Sequence, residues 1–186
     1  MALVFNEKKA TQAAARFLQL AGGSSNYMVL IKHLYLLDRG ALLRWGRLVT
    51  YDDFFEMKLG PVLSQVHDLI TEMQLPDEDS YWTKFISEPF GHFFVRLNCD
   101  PGNDELSEAE ENLIAEIYVT YGHYKPFELV DLLHKILPEL KGVSKGSKPI
   151  SITDILRAEK KTAQEISSIE MEIESLGQID AFFSAH

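Results

Sequence analysis

The residue types that most often carry out chemistry are scattered along this sequence rather than grouped at recognisable spacings. The six histidines form no HExxH or similar pair, and the single cysteine, Cys99, provides no second thiolate for a zinc site. No GxSxG, Walker A or GxGxxG sequence is present, so neither a serine nucleophile nor a phosphate-binding loop is indicated. We therefore predict a protein that is not an enzyme and that has no metal site and no cofactor.

Asp38 is the charged residue whose position most needs an explanation, because it interrupts a strongly apolar helical stretch. A carboxylate close to a core must be paired or hydrogen-bonded, since burying an isolated charge is costly. Asp38 therefore either pairs with an arginine, such as the adjacent Arg39, or accepts backbone N–H bonds from the turn at residues 48–53. Both interactions predict that Asp38 contributes more to stability than Asp52, which we assign to a polar turn.

The cations near this helix also allow a functional interpretation, in which they belong to a surface that binds a partner protein. Arginine is favoured at interfaces because its planar guanidinium pairs with a carboxylate through two hydrogen bonds. Aromatic residues are abundant between 45 and 55 and between 81 and 94, and a strand cannot turn all of them inward. The predicted partner-binding face consists of Arg44, Arg47, Tyr51, Phe54 and Lys58. The alternative is that the aromatic residues pack in the core.

All five residues lie in one stretch, residues 27–63, around which the rest of the chain is organised. Apolar residues in its first half recur every three or four positions, which predicts a buried helix that ends at Gly46. A strand is predicted from Leu48 to Leu59. Gly60 and Pro61 then interrupt the strand, and Pro61 suits the first turn of a following helix.

The remaining elements are predicted from periodicity and from residues that begin or end helices. Helices are expected over residues 7–21, 62–74, 107–121 and 127–137, and a final amphipathic helix over residues 151–176. Aromatic and β-branched residues at 81–98 predict a β-hairpin, which we expect to pair with the strand near residues 54–59. Residues 142–149 are expected to form a mobile loop. The predicted fold class is α+β, a mostly α-helical single domain with one small antiparallel β-sheet.

Length, composition and charge narrow the classes of function. The 186 residues are enough for one domain with a substantial core, and no run approaches the ~20 apolar residues of a membrane span. A single cysteine favours a reducing compartment, so we expect a cytoplasmic protein. The formal net charge is −10, which repels phosphate and so disfavours nucleic acid. Such a charge suits a basic protein partner, and it equally serves solubility alone.

The stretch at residues 27–63 resembles a known family, the Panacea domain, which is also called the SocA-like antitoxin domain. The resemblance rests on three segments: Lys32 to Arg39 (KHLYLLDR), Arg44 to Arg47 (RWGR) and Met57 to Val62 (MKLGPV). Asp38, Arg39, Gly60 and Pro61 are the motif residues with a structural role. Tyr121-Gly122 and the segment from Leu129 to His134 correspond to two further motifs of the family. Leu48 and Leu59 depart from it, since members have a turn proline and an aromatic residue there.

This resemblance implies a function that the residues alone do not. The family includes phage-associated GepA-like proteins, and its members are antitoxins that bind a cognate protein toxin, some of them as adaptors that present the toxin to a protease. The implied boundaries are a Panacea/SocA-like domain over residues 1–160 and an amphipathic C-terminal helical tail over residues 161–186. The alternative is a winged-helix-like DNA-binding transcriptional regulator. That function would require a basic recognition helix, and residues 62–74 contain no Lys or Arg.

We predict that the chain alone does not bind DNA specifically, because it is acidic and the helix expected at residues 62–74 lacks cations. Electrophoretic mobility shifts with the promoter of its own gene at low salt measure this. A sequence-dependent shift at sub-micromolar protein would contradict the prediction.

Overall fold

The helix predicted at the centre of the chain extends from Tyr27 to Trp45 and packs against half of the other elements. The computed structural model describes residues 4–71 and 80–184, with side chains up to residue 177, and 56% helix with 13% strand confirms the α+β prediction. In chain order, the elements within these residues are α1 (Glu7–Leu20), β1 (Ser24–Asn26), α2 (Tyr27–Trp45), β2 (Phe54–Met57), β3 (Gly60–Leu63), α3 (Ser64–Thr71), α4 (Tyr81–Phe85), β4 (Phe94–Arg96), α5 (Glu108–Tyr121), α6 (Pro126–Ile136), β5 (Ser147–Ile150), α7 (Ile152–Ala158) and α8 (Ala163–Ser184).

Both ends of α2 are set by side chains that sequence patterns recognise. The Asn26 side chain accepts a hydrogen bond from the Met28 N–H at 2.9 Å, which satisfies one free donor of the first turn. Gly46 follows the last turn at φ +67°, a left-handed conformation that glycine adopts without strain. Most residues between these ends are buried, including the charged Lys32 and Asp38.

Two small antiparallel sheets pack beside α2, where the sequence predicted one. In the first sheet β1 pairs with β4, and Ser25 lies opposite Val95. In the second sheet β2 is the central strand, between the edge strands β3 and β5. Phe55 of β2 faces Val62 on one side and Pro149 on the other.

The hairpin predicted at residues 81–98 is present in its inner part, where antiparallel bridges join Ile86 to Leu97 and Phe90 to Phe94, but it is wrong in its first residues and in its partner. Residues 81–85 form the short helix α4, and β4 pairs with β1 rather than with β2. Ser80 begins α4, and the Glu7 carboxylate accepts hydrogen bonds from the Ser80 hydroxyl and the Trp82 N–H. Trp82 is fully buried. A short aromatic segment packs equally well as a buried helical turn, so its composition alone did not distinguish the two structures.

The strand predicted from Leu48 to Leu59 is also shorter than expected. Residues 48–53 form an irregular turn before β2, and Gly60 and Pro61 lie inside β3 rather than at the start of a helix. A sheet tolerates Pro61 because β3 is an edge strand, where a missing N–H breaks no interior ladder. The predicted loop at residues 142–149 is partly ordered as β5.

The C-terminal helix α8 packs against the domain through one face. Ile166 and Ile173 are buried and belong to the same hydrophobic cluster as α2. Ile169 lies next to Gly46, where an added Cβ would approach its side chain to 3.3 Å. The boundary between domain and tail near residue 160 remains a prediction from the family resemblance. The hydrophobic core includes residues on both sides of that boundary.

Asp38 joins α2 to the turn that follows it. Its Oδ1 accepts hydrogen bonds from the backbone N–H groups of Val49 at 2.6 Å and Thr50 at 2.8 Å, and its Oδ2 accepts one from the Thr50 hydroxyl. Of the two interactions predicted for Asp38, the structure shows the hydrogen bonds from the turn. Arg39 instead pairs with Glu139 at 2.7 Å, and the Tyr35 hydroxyl donates to the same carboxylate. Burial raises the pKa of Asp38 to about 6.

Asp52 lies in the turn to which the sequence assigned it, but the site is buried rather than polar. Its carboxylate is fully buried and accepts hydrogen bonds from the N–H groups of Gln65 at 2.9 Å and Val66 at 3.0 Å, in the first turn of α3. These donors lie thirteen and fourteen residues further along the chain, so no local pattern indicated the bond. Burial raises the pKa of Asp52 to about 7.

We predict that Asp38→Ala and Asp52→Ala are destabilising by similar amounts. Asp38→Ala leaves three buried donors without an acceptor, and Asp52→Ala leaves one buried and two part-buried donors. Each unsatisfied buried donor costs about 1–3 kcal/mol, so the free energy of unfolding should fall by roughly 3 kcal/mol in both variants. Urea unfolding at pH 8, where both carboxylates are ionised in the folded chain, measures the change.

Asp53→Ala is the matched control, since the Asp53 side chain is exposed and lies next to Asp52. Its effect should stay within about 0.5 kcal/mol. A large loss in Asp38→Ala together with a small loss in Asp52→Ala would restore the expectation from the sequence and contradict this prediction.

Candidate partner-binding site

Arg44 and Arg47, two residues of the predicted binding face, lie at the C-terminal end of α2. Arg44 Nη2 is 2.6 Å from the Glu116 carboxylate, and Arg47 Nη2 is 3.8 Å from the Glu110 carboxylate, both on α5. Each arginine side chain keeps more than 40% of its surface exposed. The hydrogen bond from Arg44 lowers the pKa of Glu116 below its ordinary value. Both guanidinium groups thus have carboxylate neighbours within the chain.

Two of the other three predicted residues, Phe54 and Lys58, do not join the arginines in one surface. Phe54 is 3% exposed and packs edge-on against Tyr35, with ring centroids 5.5 Å apart, so it belongs to the core and not to a binding face. Tyr51 is half-buried in the turn before β2, at φ +57°. Lys58 is exposed between β2 and β3 and lines a groove together with Met28 of α2. Arg44 lies sixteen residues after Met28 in the same helix, which places it about 24 Å away along the helix axis.

Lys58 borders a groove of about 610 Å³ beside the N-terminal half of α2, which we call the basic groove. Its walls come from α2, from the β2–β3 turn, and from residues before β4, at the start of α6 and before β5. The residues that line it are Tyr27, Met28, Ile31, Lys32, Met57, Lys58, Leu59, Val62, His67, Phe93, Phe127, Ser144, Lys145 and Gly146. The lining is largely apolar, and its charged side chains are cationic.

Three large apolar side chains of the basic groove are exposed to solvent: Leu59 at 40%, Phe93 at 57% and Phe127 at 65%. Phe93 has φ +68°, an uncommon backbone conformation for a residue with a side chain. Its carbonyl accepts a hydrogen bond from the Tyr27 N–H at 2.8 Å, and its ring packs edge-on against the Tyr27 ring. A strained residue that displays an aromatic ring at a groove is a feature of binding sites.

Lys32 lies at the floor of the basic groove and is 2% exposed. Its Nζ donates a hydrogen bond to the Pro61 carbonyl at 2.8 Å. Burial lowers the pKa of Lys32 from near 10.5 to about 7, because the charged ammonium is poorly solvated there. Gly60 lies beside Lys32 at φ +92°, a left-handed conformation that residues with a side chain rarely adopt, so the backbone of this turn favours glycine.

Lys32 is not among the site residues predicted from the sequence, although it begins one of the motifs that resemble the family. A signal was available, since a lysine between Ile31 and His33 in an apolar helix implies an unusual environment.

A second groove, of about 770 Å³, lies between β5, α7 and α8 and has the opposite charge. Four carboxylates border it, those of Asp53, Asp154, Glu170 and Glu174. Glu170 accepts a hydrogen bond from the Thr153 hydroxyl, which links α8 to α7. The acidic C-terminal part of the chain therefore contributes to a different surface from the basic groove.

Two further findings concern the described residues as a whole. No cluster of three or more His, Cys, Asp or Glu side chains within residues 4–71 and 80–177 is arranged to hold a metal ion. None of the helices in the described part of the chain combines the length and the apolar character that crossing a membrane requires.

We predict that Lys32 makes stability depend on pH above neutrality. Between pH 7.5 and 9 the unfolded chain keeps the Lys32 proton while the folded chain releases it, so the free energy of unfolding rises with pH by on the order of 2 kcal/mol. Lys32→Met should remove most of this rise, and Lys58→Met, at an exposed lysine, should preserve it. Urea unfolding at the two pH values measures the slope. The same slope in all three proteins would show that Lys32 keeps an ordinary pKa.

The family model described as antitoxin SocA-like, Panacea domain, matches residues 30–137, which is more than half of the chain. The matched region includes both Lys32 and Lys58, and it confirms the family resemblance that the motifs at residues 27–63 indicated. Comparisons with curated proteins and with solved structures gave no match. The chain belongs to the family of SocA-like antitoxins with a Panacea domain.

Proposed function

We propose that this protein is an antitoxin that binds one cognate protein toxin and neutralises it in a stoichiometric complex. The family match over residues 30–137 is the observation that carries the proposal, because membership of an antitoxin family implies a partner toxin in general. Binding alone is sufficient for neutralisation, since a protein that covers the active surface of a toxin needs no chemistry of its own.

The basic groove is the surface that we propose for the toxin. Phe93 and Phe127 expose more than half of their surface beside the cation Lys58, and interfaces draw most of their affinity from a few such aromatic and cationic anchors. Apolar groups already in contact with solvent lose unfavourable hydration when a partner covers them. This groove therefore combines an apolar driving force with charge that can select a partner.

Arg44, Arg47 and Tyr51 form a second proposed contact region, at the opposite end of α2. This region is less suited to a primary contact, because both arginines already have carboxylate neighbours on α5 that a toxin would have to displace. Phe54 is not part of the proposed surface, since it is buried in the core. Lys58 stays in it, as part of the basic groove.

Presentation of the bound toxin to a protease is a second route to the same outcome, and it begins with the same binding step. The two routes differ in the amount of toxin that remains. Masking leaves the toxin level unchanged, whereas a protease adaptor lowers it when a protease is present.

The DNA-binding alternative has no observation in its favour. The recognition helix would be α3, which contains no Lys or Arg and buries Val66 and Ile70 in the core. We do not propose that function.

We predict that co-expression of this protein suppresses growth inhibition by a small protein encoded beside its gene, and that the two proteins co-purify at a fixed ratio. Growth curves with the neighbouring gene alone and with both genes measure suppression, and affinity purification measures the ratio. An immunoblot for the toxin distinguishes masking from proteolysis. If the neighbouring protein is harmless alone, or remains toxic when this protein is abundant and folded, the antitoxin proposal is wrong.

We also predict which surface the toxin contacts. Phe127→Ala combined with Lys58→Glu should weaken rescue strongly, since each anchor residue of an interface is worth about 2 kcal/mol or more. Arg44→Glu combined with Arg47→Glu is the matched pair of changes at the other end of α2 and should weaken rescue less. The reverse order of effects would assign the toxin to the arginine-bearing region.

A further inference from the structure

The hydrogen bonding of Lys32 is incomplete. A lysine ammonium has three donors, and the described residues supply one acceptor, the Pro61 carbonyl at 2.8 Å. No carboxylate of the described residues forms an ion pair with Lys32, although the chain has 28 Asp and Glu residues. Buried charges in proteins are ordinarily paired, because an unpaired one is costly to remove from water. Lys32 is thus a buried donor without an anionic partner in the described chain.

The surroundings of Lys32 repel cations and favour an anion. Every charged side chain that lines the basic groove is a lysine, and the wall is otherwise formed by apolar and aromatic residues. The titratable groups that face it from the neighbouring elements are Tyr27 of α2, Lys58 of the β2–β3 turn, His67 of α3, His134 of α6 beside Gly60, and Lys145 before β5. Asp68 points to His67, with 3.4 Å between their polar atoms. The groove is therefore a positive, apolar site on a protein of net charge −10.

We propose that the basic groove receives an apolar segment of the toxin that carries a carboxylate, and that this carboxylate pairs with the Lys32 ammonium. The inference rests on the proposed function and deepens it, because it specifies the chemistry of the partner segment. The exposed side chains of Leu59, Phe93 and Phe127 cover the apolar part of the segment, and Lys58 and Lys145 attract it during approach.

The pairing has a clear physical basis. A carboxylate supplies the acceptors that the two remaining Lys32 donors lack, and it does so in a desolvated setting where charge-assisted hydrogen bonds are short and strong. Lysine can follow the incoming group, because its ammonium is carried on a flexible stem and its donors rotate. The Pro61 carbonyl holds the ammonium in position before binding, so little conformational entropy of the Lys32 side chain is lost when the complex forms.

The pairing also predicts a change in protonation. The Lys32 ammonium is partly deprotonated near neutral pH in the free protein, because burial lowers its pKa to about 7. A carboxylate beside it favours the charged form. Binding at pH 8 should therefore take up protons, whereas a structural role for Lys32 would produce no such uptake.

The test uses the full chain and the protein encoded by the neighbouring gene, in titration calorimetry at pH 8 in two buffers of different ionisation enthalpy. Lys32→Met should lower affinity by about 30-fold or more, since truncating one partner of a buried charge pair has an effect of this size, and should lose most of the proton uptake. Lys84→Met, at an exposed lysine of α4 outside the groove, is the matched control. It should change affinity by less than about threefold and keep the uptake.

A charge-neutral scan of the toxin locates the other member of the pair. One Asp→Asn or Glu→Gln change in the toxin should weaken binding to the wild-type chain and have little further effect on binding to Lys32→Met. Equal affinity and equal proton uptake in Lys32→Met and wild type would overturn the inference while leaving the antitoxin proposal intact. Absence of any complex with the wild-type chain would overturn the proposed function, and the inference with it. Lys32→Arg retains the charge and should keep more affinity than Lys32→Met, which separates loss of charge from loss of fold.

Discussion

The Asp38 carboxylate determines how the chain leaves its central helix. The N–H groups of Val49 and Thr50 are buried in a turn that has no regular backbone pairing, and the carboxylate satisfies both while they satisfy it. A buried carboxylate without donors, or buried N–H groups without an acceptor, would each be costly in the core. The same turn carries Asp52, which caps α3, so one irregular segment connects α2, β2 and α3.

The two charged side chains buried in α2 differ in how far the chain satisfies their hydrogen bonding. Asp38 has a complete set of donors from its own chain, whereas Lys32, six residues earlier, has one acceptor and faces a groove. A completely satisfied group adds uniqueness to a fold, and an incompletely satisfied one leaves free energy available for a partner. The helix that organises the core therefore also carries the buried lysine that we propose as a contact for the toxin.

The parts of the fold that sequence reasoning predicted depend on local signals. Periodicity and Gly46 predicted α2, and the expected burial of Asp38 gave its bonds to the following turn as one of two predicted interactions. The features that the sequence did not predict depend on contacts between residues far apart in the chain. Asp52 meets donors more than ten residues away, and Trp82 is held in α4 by Glu7, which is 75 residues earlier. Lys32 meets Gly60 and the Pro61 carbonyl, almost thirty residues further along the chain, although its side chain could otherwise have extended to water. These contacts exist only once the chain has folded.

The positions of two prolines in the second sheet have a consequence for how this protein meets others. Pro61 lies in β3 and Pro149 in β5, so each edge of the three-stranded sheet contains a residue without an N–H donor. An additional strand, from a second copy or from a partner, would find an interrupted ladder on either side. Both edges of this sheet are thereby poor templates for a further strand, which disfavours edge-to-edge aggregation.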